Sequence, residues 1–477
     1  MPARVIPLTP SVEFDAALVR KLNQMGPRYT SYPMADRFND AFGSEQYRAA
    51  LAQLDASAGG TDGRPWSLYV HIPFCESLCY YCGCNKIITQ DHSKAAEYLT
   101  YLEREIVFQA VTLGPRRTVA QLHFGGGTPT YLTDAQMSGL LDTLHRHFDF
   151  VPEQEGEFSI EVDPRTVTPE RIATLRAQGF NRISLGIQDF DPAVQQAVNR
   201  IQSYEQTMDV LKAARSSGFR SISVDLIYGL PLQSVASFGP TLDKVVAARP
   251  DRIAVYNYAH MPQMFKSQRL IRAEDLPDAE QKLAMLGQCI ERLTAAGYVY
   301  IGMDHFALPE DDLAVSQCAG KLQRNFQGYS THAEAPMLAL GVSAISAVGA
   351  SYSQNEKVLA DYYARLDRNE LPIKRGVVLS EDDLLRRNVI GRLMCDFALH
   401  YADLAMPDGF TAAEYFVDEL ERLRPLAAEG LLTIGDKGLI VSMRGRLLIR
   451  NICMAFDRYL QAPRAEGPHL PRYSRTI

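Results

Sequence analysis

The sequence lacks any long apolar run and any excess of positive charge. No stretch reaches about 18 uninterrupted apolar residues, the length expected of a membrane-spanning helix, and the N-terminal segment MPARVIPLTPSVEF has no apolar core of a signal peptide. The net charge is −7 and the pI is about 5.9, whereas a general nucleic-acid binder is more often basic. We therefore expect a cytoplasmic protein without a membrane or nucleic-acid partner.

Length and composition are those of an ordinary globular protein with more than one domain. The chain has 477 residues, of which 46% are hydrophobic and 22% charged. A core of this size folds without disulfides or a structural metal. Domains typically contain about 100–200 residues, so two or three units are expected. A metal site in such a chain would therefore serve function rather than folding.

Four of the eight cysteines are crowded into ten residues. They form the pattern C-x3-C-x2-C-x-C: Cys75, Cys79, Cys82 and Cys84. The other four are scattered and are expected to be small buried hydrophobic residues. In a cytoplasmic chain, a cysteine cluster indicates a metal or redox site rather than a disulfide framework.

Short β-favouring runs alternate with helical stretches through the first part of the chain. The predicted strands are 67–72, 120–124, 157–161, 182–186, 221–226 and 252–256. The predicted helices are 94–113, 133–148, 168–178, 204–217 and 235–248, with caps at Thr133 or Asp134 and at Gly179 and Gly218. This alternation predicts an α/β fold with a parallel sheet. A doubly wound sheet or a partial (β/α)6 barrel would fit, and polar residues after almost every strand favour the barrel.

The chain divides into three predicted parts. Residues 1–60 form an N-terminal extension, which contains the segment GPRYTSYP and ends near a Gly/Pro-rich stretch at 58–65. Residues 61–360 form the barrel unit, extended by a helix at 278–295 and a strand at 298–302. Residues 365–477 form a small, mostly helical, winged-helix-like domain. Its predicted elements are helices near 380–394, 412–422 and 443–460 and a hairpin that turns at 435–438.

Three closely spaced thiolates after the first strand suit a [4Fe–4S] cluster. Thiolates are soft ligands that bind zinc or iron–sulfur clusters. Three of them on four irons leave one iron open, much as catalytic zinc keeps an open position. Structural zinc usually requires a second pair of ligands, and the sequence has no such pair, which disfavours zinc. Zinc and redox-switch cysteines remain as alternatives. Cys84, one residue from Cys82, is poorly placed to reach the same cluster.

Further polar and glycine-rich motifs lie where predicted strands end. The segment 124–129 reads FGGGTP, and glycines allow the backbone to approach a ligand closely, although a tight turn would also explain them. Glu161 ends the third strand and could accept hydrogen bonds from a ribose diol. Arg200 could pair with a carboxylate or be an exposed surface arginine, and Asp304 is a further polar candidate. None of the histidines beside these motifs, at positions 71, 123, 260 and 305, is assigned as a metal ligand.

The pattern C-x3-C-x2-C after the first strand of a βα repeat resembles the radical S-adenosylmethionine (SAM) superfamily. The resemblance implies a [4Fe–4S] cluster held by Cys75, Cys79 and Cys82, with SAM chelated by the open iron. Further motifs, in order along nearly the whole chain, resemble the oxygen-independent coproporphyrinogen III oxidase family: YVHIPFC, GCNK, FGGGTPTYL, IEVDP, GIQDF, VNR, VDLIYGLP, NYAH, GMDHF, RNFQGY and NICM.

The family resemblance also implies two SAM sites. The residues that match the first site are Tyr69, Gly126, Glu161 and Ile345. The residues that match the second site are Tyr81, Gly127, Thr128, Gln188, Arg200, Asp225 and Ala259. Two SAM molecules per product suit two sequential decarboxylations.

The activity implied by the resemblance is oxidative decarboxylation of two propionates of coproporphyrinogen III to vinyl groups, which gives protoporphyrinogen IX. An external electron donor would be required, and the family is generally monomeric. Arginines at strand ends or at the basic C-terminal end, such as Arg444, Arg446 and Arg450, are expected to bind the propionates. The alternative is a heme chaperone of the same superfamily without oxidase activity. Cys84 and the segment GPRYTSYP favour the oxidase.

Overall fold

The computed structural model describes residues 12–57, 64–332, 335–461 and 473–475. The helices in these ranges are α1 (Ala16–Leu22), α2 (Ser44–Ser57), α3 (Ser93–Leu113), α4 (Asp134–His147), α5 (Pro169–Ala177), α6 (Pro192–Ala197), α7 (Tyr204–Ser216), α8 (Val235–Ala248), α9 (Ala279–Ala295), α10 (Asp312–Cys318), α11 (Leu359–Asp367), α12 (Glu381–Asp396), α13 (Ala412–Tyr415), α14 (Val417–Ala428), α15 (Met443–Arg446), α16 (Ile449–Met454) and α17 (Arg458–Gln461). The strands are β1 (Trp66–Ile72), β2 (Phe74–Cys75), β3 (Ile87–Ile88), β4 (Thr118–Gly126), β5 (Asp149–Phe150), β6 (Glu157–Val162), β7 (Arg182–Gln188), β8 (Ser221–Tyr228), β9 (Arg252–Asn257), β10 (Val299–Gly302), β11 (His305–Ala307), β12 (Gln323–Asn325), β13 (Gly328–Ser330), β14 (Met337–Leu340), β15 (Ile345–Val348), β16 (Ser351–Asn355), β17 (Ile373–Val378), β18 (Ala398–His400), β19 (Leu432–Gly435) and β20 (Gly438–Val441).

One large mixed sheet organises most of the chain. Its parallel strands are neighbours in the order β1, β4, β6, β7, β8 and β9, so each lies beside the next one along the chain. This sequential order excludes a doubly wound sheet, in which the strand order reverses. The predicted α/β architecture of partial-barrel type is therefore confirmed, with the six predicted strands and the helices between them at their expected positions.

Additional strands extend both edges of the parallel sheet. Strand β14 lies parallel to β1 on the side away from β4, and β15, β16 and β17 continue antiparallel beyond it. Strands β11 and β10 continue antiparallel beyond β9. Because β17 ends at Val378, residues 373–378 lie with the large sheet and not, as predicted, with the C-terminal part. The predicted boundary at 58–65 falls mostly outside the described residues.

The parallel strands have an apolar face and a polar face. In β1, Leu68, Val70 and Ile72 are fully buried in the same hydrophobic cluster as residues of the surrounding helices. Tyr69 and His71 alternate with them and therefore point to the opposite face. Helices pack in neighbouring pairs, α3 with α4, α5 with α7 and α8 with α9. The polar side chains therefore lie on the face turned away from the helices, which we call the interior face of the sheet.

Local signals explain several element ends. The Thr133 hydroxyl accepts a hydrogen bond from the Gln136 amide at 3.2 Å, which caps the start of α4. Gly179 and Gly218 follow α5 and α7 with φ values of +102° and +83°, as predicted for glycine at a helix C-terminus.

The C-terminal part contains helices around a small antiparallel sheet of order β18–β20–β19. The predicted hairpin turn at 435–438 is confirmed. The predicted continuous helix over 443–460 is wrong, because it is divided into α15, α16 and α17. Leu448 interrupts the helix with φ −102° and ψ 21°, and the Asp457 carboxylate accepts a hydrogen bond from the Tyr459 amide at 3.0 Å, which starts a new turn.

Candidate active site

The polar side chains of β1, β4 and β6 meet on the interior face of the sheet. The Tyr69 hydroxyl lies 3.0 Å from Nδ1 of His71. The Tyr69 ring stacks on His123 with 5.8 Å between centroids. Nε2 of His123 lies 3.1 Å from Glu161 Oε1. Tyr69 and His71 are two positions apart on β1, His123 pairs with Tyr69 from β4, and Glu161 lies on β6. Side chains two positions apart on a strand point to the same face. This period of two is the signal in the sequence that could have assigned both histidines to the site.

Glu161 is held as a carboxylate at the carboxyl end of β6. Its Oε2 accepts a hydrogen bond from the Gly126 amide at 3.3 Å. Burial by itself would raise the pKa of Glu161, but the hydrogen bonds from His123 and Gly126 outweigh it, and the pKa lies below the ordinary value. A Cβ atom at Gly125 would lie 2.9 Å from Glu161 Oε1. The glycine loop thus brings backbone N–H groups directly beside this carboxylate.

The glycine-rich loop packs against the chain segment that leads to Cys75. The Gly127 amide donates to the Ile72 carbonyl at 2.8 Å. A Cβ atom at Gly127 would lie 2.7 Å from the backbone of Pro73, so only glycine permits this approach. Gly126 has a φ of +113°, and a Cβ there would collide with the His71 ring. These glycines are therefore needed for close packing beside the cysteine loop, which goes beyond the tight-turn explanation.

The cysteine loop begins at the end of β2 and is anchored by polar contacts. The Thr128 hydroxyl donates to Cys75 Sγ at 3.3 Å. Arg165 and Arg200 donate to Cys79 Sγ at 3.5 and 3.6 Å. Donors aimed at sulfur stabilise thiolates, which are the form that binds iron. The donor set of this loop therefore fits an iron–sulfur cluster.

The third and fourth cysteines of the motif interact with each other. The Cys84 thiol hydrogen-bonds to Cys82, and this contact, together with the charge of Lys86, lowers the pKa of Cys82. The same contact raises the pKa of Cys84, with the charge of Cys82 and burial adding to it. Lys86 also donates to the Cys82 carbonyl at 2.9 Å. Cys84 thus lies beside Cys82 and favours the thiolate form of Cys82. Among the described residues, no three His, Cys, Asp or Glu side chains form a group that could hold a single metal ion.

A buried charge network flanks the cysteine loop. Arg200 is 6% exposed, so the alternative of a surface arginine is wrong. Its Nη1 lies 3.0 Å from Asp163 Oδ2, and its Nη2 donates to the Gly186 carbonyl at 2.6 Å. Arg165 also pairs with Asp163, at 2.7 Å. The sequence reading missed Asp163 and Arg165, although Asp163 follows Glu161 by two positions and therefore lies at the same strand end.

Asp225 shares the interior face with Glu161. The Ser184 hydroxyl donates to Asp225 Oδ2 at 3.2 Å. Burial, followed by the charge of Glu161, raises the pKa of Asp225 to about 7. Gln188 ends β7 with a φ of +65°, at a register shift relative to β8. Asp225 lies within β8, and Arg200 lies in the loop between α6 and α7; their assignment to a second SAM site stays a prediction.

Tyr81, Ala259 and Ile345 are the remaining predicted SAM contacts. The Tyr81 backbone carbonyl accepts from Gln268 at 2.9 Å, and its charge interactions with Arg200 place it by the buried network. Ala259 follows β9 and lines a cavity of about 360 Å³. Ile345 lies on β15 in a separate hydrophobic cluster with Tyr352. The assignment of these three residues to SAM sites stays a prediction.

The basic C-terminal residues take different positions from one another. Arg444 pairs with Asp15, and its side chain is 36% exposed. The Arg446 guanidinium lies 4.8 Å from the centre of the Phe397 ring. Arg450 is 2% exposed and lines a small cavity together with Arg28. Arg464 and Arg472, also part of this basic end, lie outside the described residues.

The comparisons with known proteins agree with this geometry. The family model described as the radical SAM superfamily matches residues 69–245, which include the cysteine loop and the polar strand ends. Among the described residues, no helix is long and apolar enough to cross a membrane. Residues 69–245 therefore form a radical SAM domain.

Relatives with the same name match along almost the entire chain. The oxygen-independent coproporphyrinogen III oxidase of Pseudomonas aeruginosa is 47% identical over 467 residues, covering 98% of this chain and 99% of the relative. That of Escherichia coli (strain K12) is 48% identical over 466 residues, with the same coverage. The solved structure of coproporphyrinogen III oxidase (HemN) from Escherichia coli, a radical SAM enzyme, has a TM-score of 0.88 and 47% identity, covering 94% of this chain and 100% of that one. The chain belongs to the oxygen-independent coproporphyrinogen III oxidase family.

Proposed function

We propose that this chain is an enzyme that decarboxylates two propionate side chains of coproporphyrinogen III oxidatively and without oxygen, giving protoporphyrinogen IX in heme biosynthesis. The observation that carries the proposal is the meeting of the cysteine loop, the glycine loop and Glu161 at one end of the parallel strands, in a chain that its relatives match over 98% of its length. Relatives named as this oxidase match almost the entire chain, which disfavours the heme-chaperone alternative.

Cys75, Cys79 and Cys82 would hold the [4Fe–4S] cluster. Thr128 and the two arginines donate to two of these sulfurs, contacts that would stabilise the thiolate ligands of a bound cluster. When bound, the cluster would supply the electron that cleaves SAM and so generates the radical that abstracts a hydrogen atom from the propionate carbon β to the carboxylate. The substrate radical would then release carbon dioxide and pass one electron to an external acceptor, leaving a vinyl group.

The interior residues would bind and orient two SAM molecules. Glu161, kept ionised by His123 and Gly126, can accept two hydrogen bonds from the ribose hydroxyls of the first SAM, with Tyr69, Gly126 and Ile345 completing that site. The residues proposed for the second SAM are Tyr81, Gly127, Thr128, Gln188, Arg200, Asp225 and Ala259.

Several finer features belong to the same proposal. Two SAM molecules would be consumed per product, since two propionates react. An external electron donor would reduce the cluster. We also propose that the protein acts as a monomer in the cytoplasm, without a membrane or nucleic-acid partner.

The test is an anaerobic assay of the reconstituted, reduced protein with SAM and coproporphyrinogen III. 5′-Deoxyadenosine and protoporphyrinogen IX should appear together, in a ratio of about two to one. Both should vanish in Cys75→Ala, together with iron binding, and persist in Cys318→Ala, a cysteine on α10 outside the loop.

Other outcomes of this assay would point elsewhere. Deoxyadenosine without protoporphyrinogen IX would contradict the substrate but keep the radical SAM site. Tight heme binding with neither product, in a protein whose cluster is intact and reduced, would favour the chaperone.

A further inference from the structure

A row of interior positions continues from Asp225 to the edge of the sheet. Gly186, Asp225, Ala254 and His305 are in register across β7, β8, β9 and β11. Residues in register on neighbouring strands point to the same face. His305 therefore lies on the interior face of the sheet, two strands beyond Asp225, in a region that the proposed SAM contacts leave unassigned.

The β12–β13 hairpin brings Arg324 to this region. The Tyr329 ring lies 5.3 Å from the His305 ring, and the Arg324 guanidinium carbon lies 4.9 Å from the centre of the Tyr329 ring. Nε and Nη1 of Arg324 are buried and have no hydrogen-bond partner within the described structure. Unpaired buried donors are costly, and a cationic fork of this kind matches the two oxygens of a carboxylate.

Two more arginines make this region positive. Arg28 forms an ion pair with Asp304. Arg450 donates to the backbone carbonyl of Pro27 at 2.9 Å, which satisfies its N–H groups but leaves its charge uncompensated. Burial, followed by the charge of Arg324, lowers the pKa of His305 to about 3, so the imidazole is neutral. The positive charge of the cluster therefore exceeds the negative charge of Asp304.

Two adjacent cavities lie beside these residues. Arg28, Asp304 and Arg450 border a cavity of about 30 Å³. Tyr228 and Asn257 border both this cavity and the cavity of about 360 Å³ that Ala259 lines. A carboxylate on a flexible arm could reach Arg28 and Arg450 here, and Arg324 lies close enough to Asp304 and Arg450 for its charge to act on both.

We propose that Arg324, with Arg28 beside it, binds a propionate carboxylate of the substrate, and that Asp304 is a positioning residue that orients Arg28. This inference rests on the proposed function, because it takes coproporphyrinogen III as the ligand. The expectation named Arg444, Arg446 and Arg450 for this role. Of these, Arg450 borders the proposed region, whereas Arg444 pairs with Asp15.

The test compares Arg324→Gln and Arg324→Lys with Arg424→Gln, an arginine on α14 whose side chain is 69% exposed. Two quantities are measured on each anaerobic, cluster-loaded protein: KM and kcat for coproporphyrinogen III, and the Kd of coproporphyrin III and of its tetramethyl ester by fluorescence titration. Coproporphyrin III keeps the four propionates and requires no turnover, whereas the ester masks them.

Arg324→Gln should raise KM and the Kd of coproporphyrin III by about tenfold or more, the effect of losing a charge-assisted hydrogen bond, with kcat within about threefold and ester binding unchanged. Arg324→Lys should show a smaller rise because it keeps the charge but loses the fork. Arg424→Gln should match the wild type.

Unchanged KM and Kd in Arg324→Gln would overturn the inference, and so would an equal loss of acid and ester binding. If Arg324→Gln does not fold, Arg324→Lys decides in the same way. A wild-type enzyme that binds coproporphyrin III but converts no coproporphyrinogen III would instead contradict the proposed function.

Discussion

Replacing Asp225 by asparagine should make the cluster-free protein more stable at alkaline pH. The folded protein holds the pKa of Asp225 at about 7, first because the carboxyl is buried and then because Glu161 is charged nearby. An unfolded chain titrates near 3.9. Since the folded value is raised, the stabilisation that the protonated carboxyl permits is complete below pH ~4 and is lost as the pH rises through about 7. Asparagine is never charged and avoids this loss.

The magnitude follows from the difference between the two pKa values. A difference of one pKa unit corresponds to about 1.4 kcal/mol, so a folded pKa of about 7 implies at most roughly 4 kcal/mol between pH 4 and pH 8. The asparagine amide keeps one oxygen that can accept from Ser184. We expect Asp225→Asn to raise the free energy of unfolding by about 2–4 kcal/mol at pH 8 relative to its effect at pH 4.5.

Urea unfolding of the cluster-free protein, followed by circular dichroism at pH 4.5 and pH 8, measures this difference. Asp209→Asn serves as the control, because Asp209 lies on α7 with its side chain 62% exposed, and it should change the free energy of unfolding by less than ~0.5 kcal/mol at either pH. Parallel pH dependence in the wild type and Asp225→Asn would refute the reasoning. The same variant should bind SAM more weakly, so stability and binding should change in opposite directions.

Three further substitutions probe the loops around the site. Gly127→Ala would place a methyl group against fixed backbone. It should lower the free energy of unfolding by about 1–3 kcal/mol and also lower the iron content. Gly139→Ala on α4, which has open space around it, is the control and should leave the iron content unchanged and the free energy of unfolding unchanged or higher. Asp163→Asn leaves Arg200 without its buried partner and should lower the free energy of unfolding by about 3 kcal/mol; a urea midpoint equal to that of the wild type would contradict the role of this pair. Glu161→Gln should weaken SAM binding about tenfold in equilibrium dialysis without turnover, with iron content unchanged; an unaltered affinity would remove Glu161 from the SAM site.

The six parallel strands and the main helices that connect them could be predicted because their signals are local. Alternating apolar residues in β1 and capping residues such as Thr133 act within a few positions of the element that they define. The helix predicted over 443–460 is wrong because Leu448 leaves the helical conformation and because the Asp457 carboxylate accepts a hydrogen bond from the Tyr459 amide. Apolar periodicity reveals neither of these local effects.

The candidate site was predicted in part, for a physical reason. Cys75 and Glu161 carry their chemistry in their residue type and in their place after a strand. The role of Arg324 depends on how the hairpin folds back over β11, and the pairing of Arg28 with Asp304 joins residues distant in sequence. Side-chain partners of this kind are set by tertiary packing, which periodicity and spacing do not encode.

One of the two strands that pair with β1 is β14, which is synthesised about 270 residues later. Ser67 pairs with Met337 in β14, while the other side of β1 pairs with β4. Until residue 340 has emerged from the ribosome, β1 is an open edge with unsatisfied backbone groups, and the cysteine loop hangs from its end. Any truncation before β14 should therefore leave β1, and the cysteine loop that follows it, on an aggregation-prone edge. The distant pairing also makes closure of this region a slow, late event in folding.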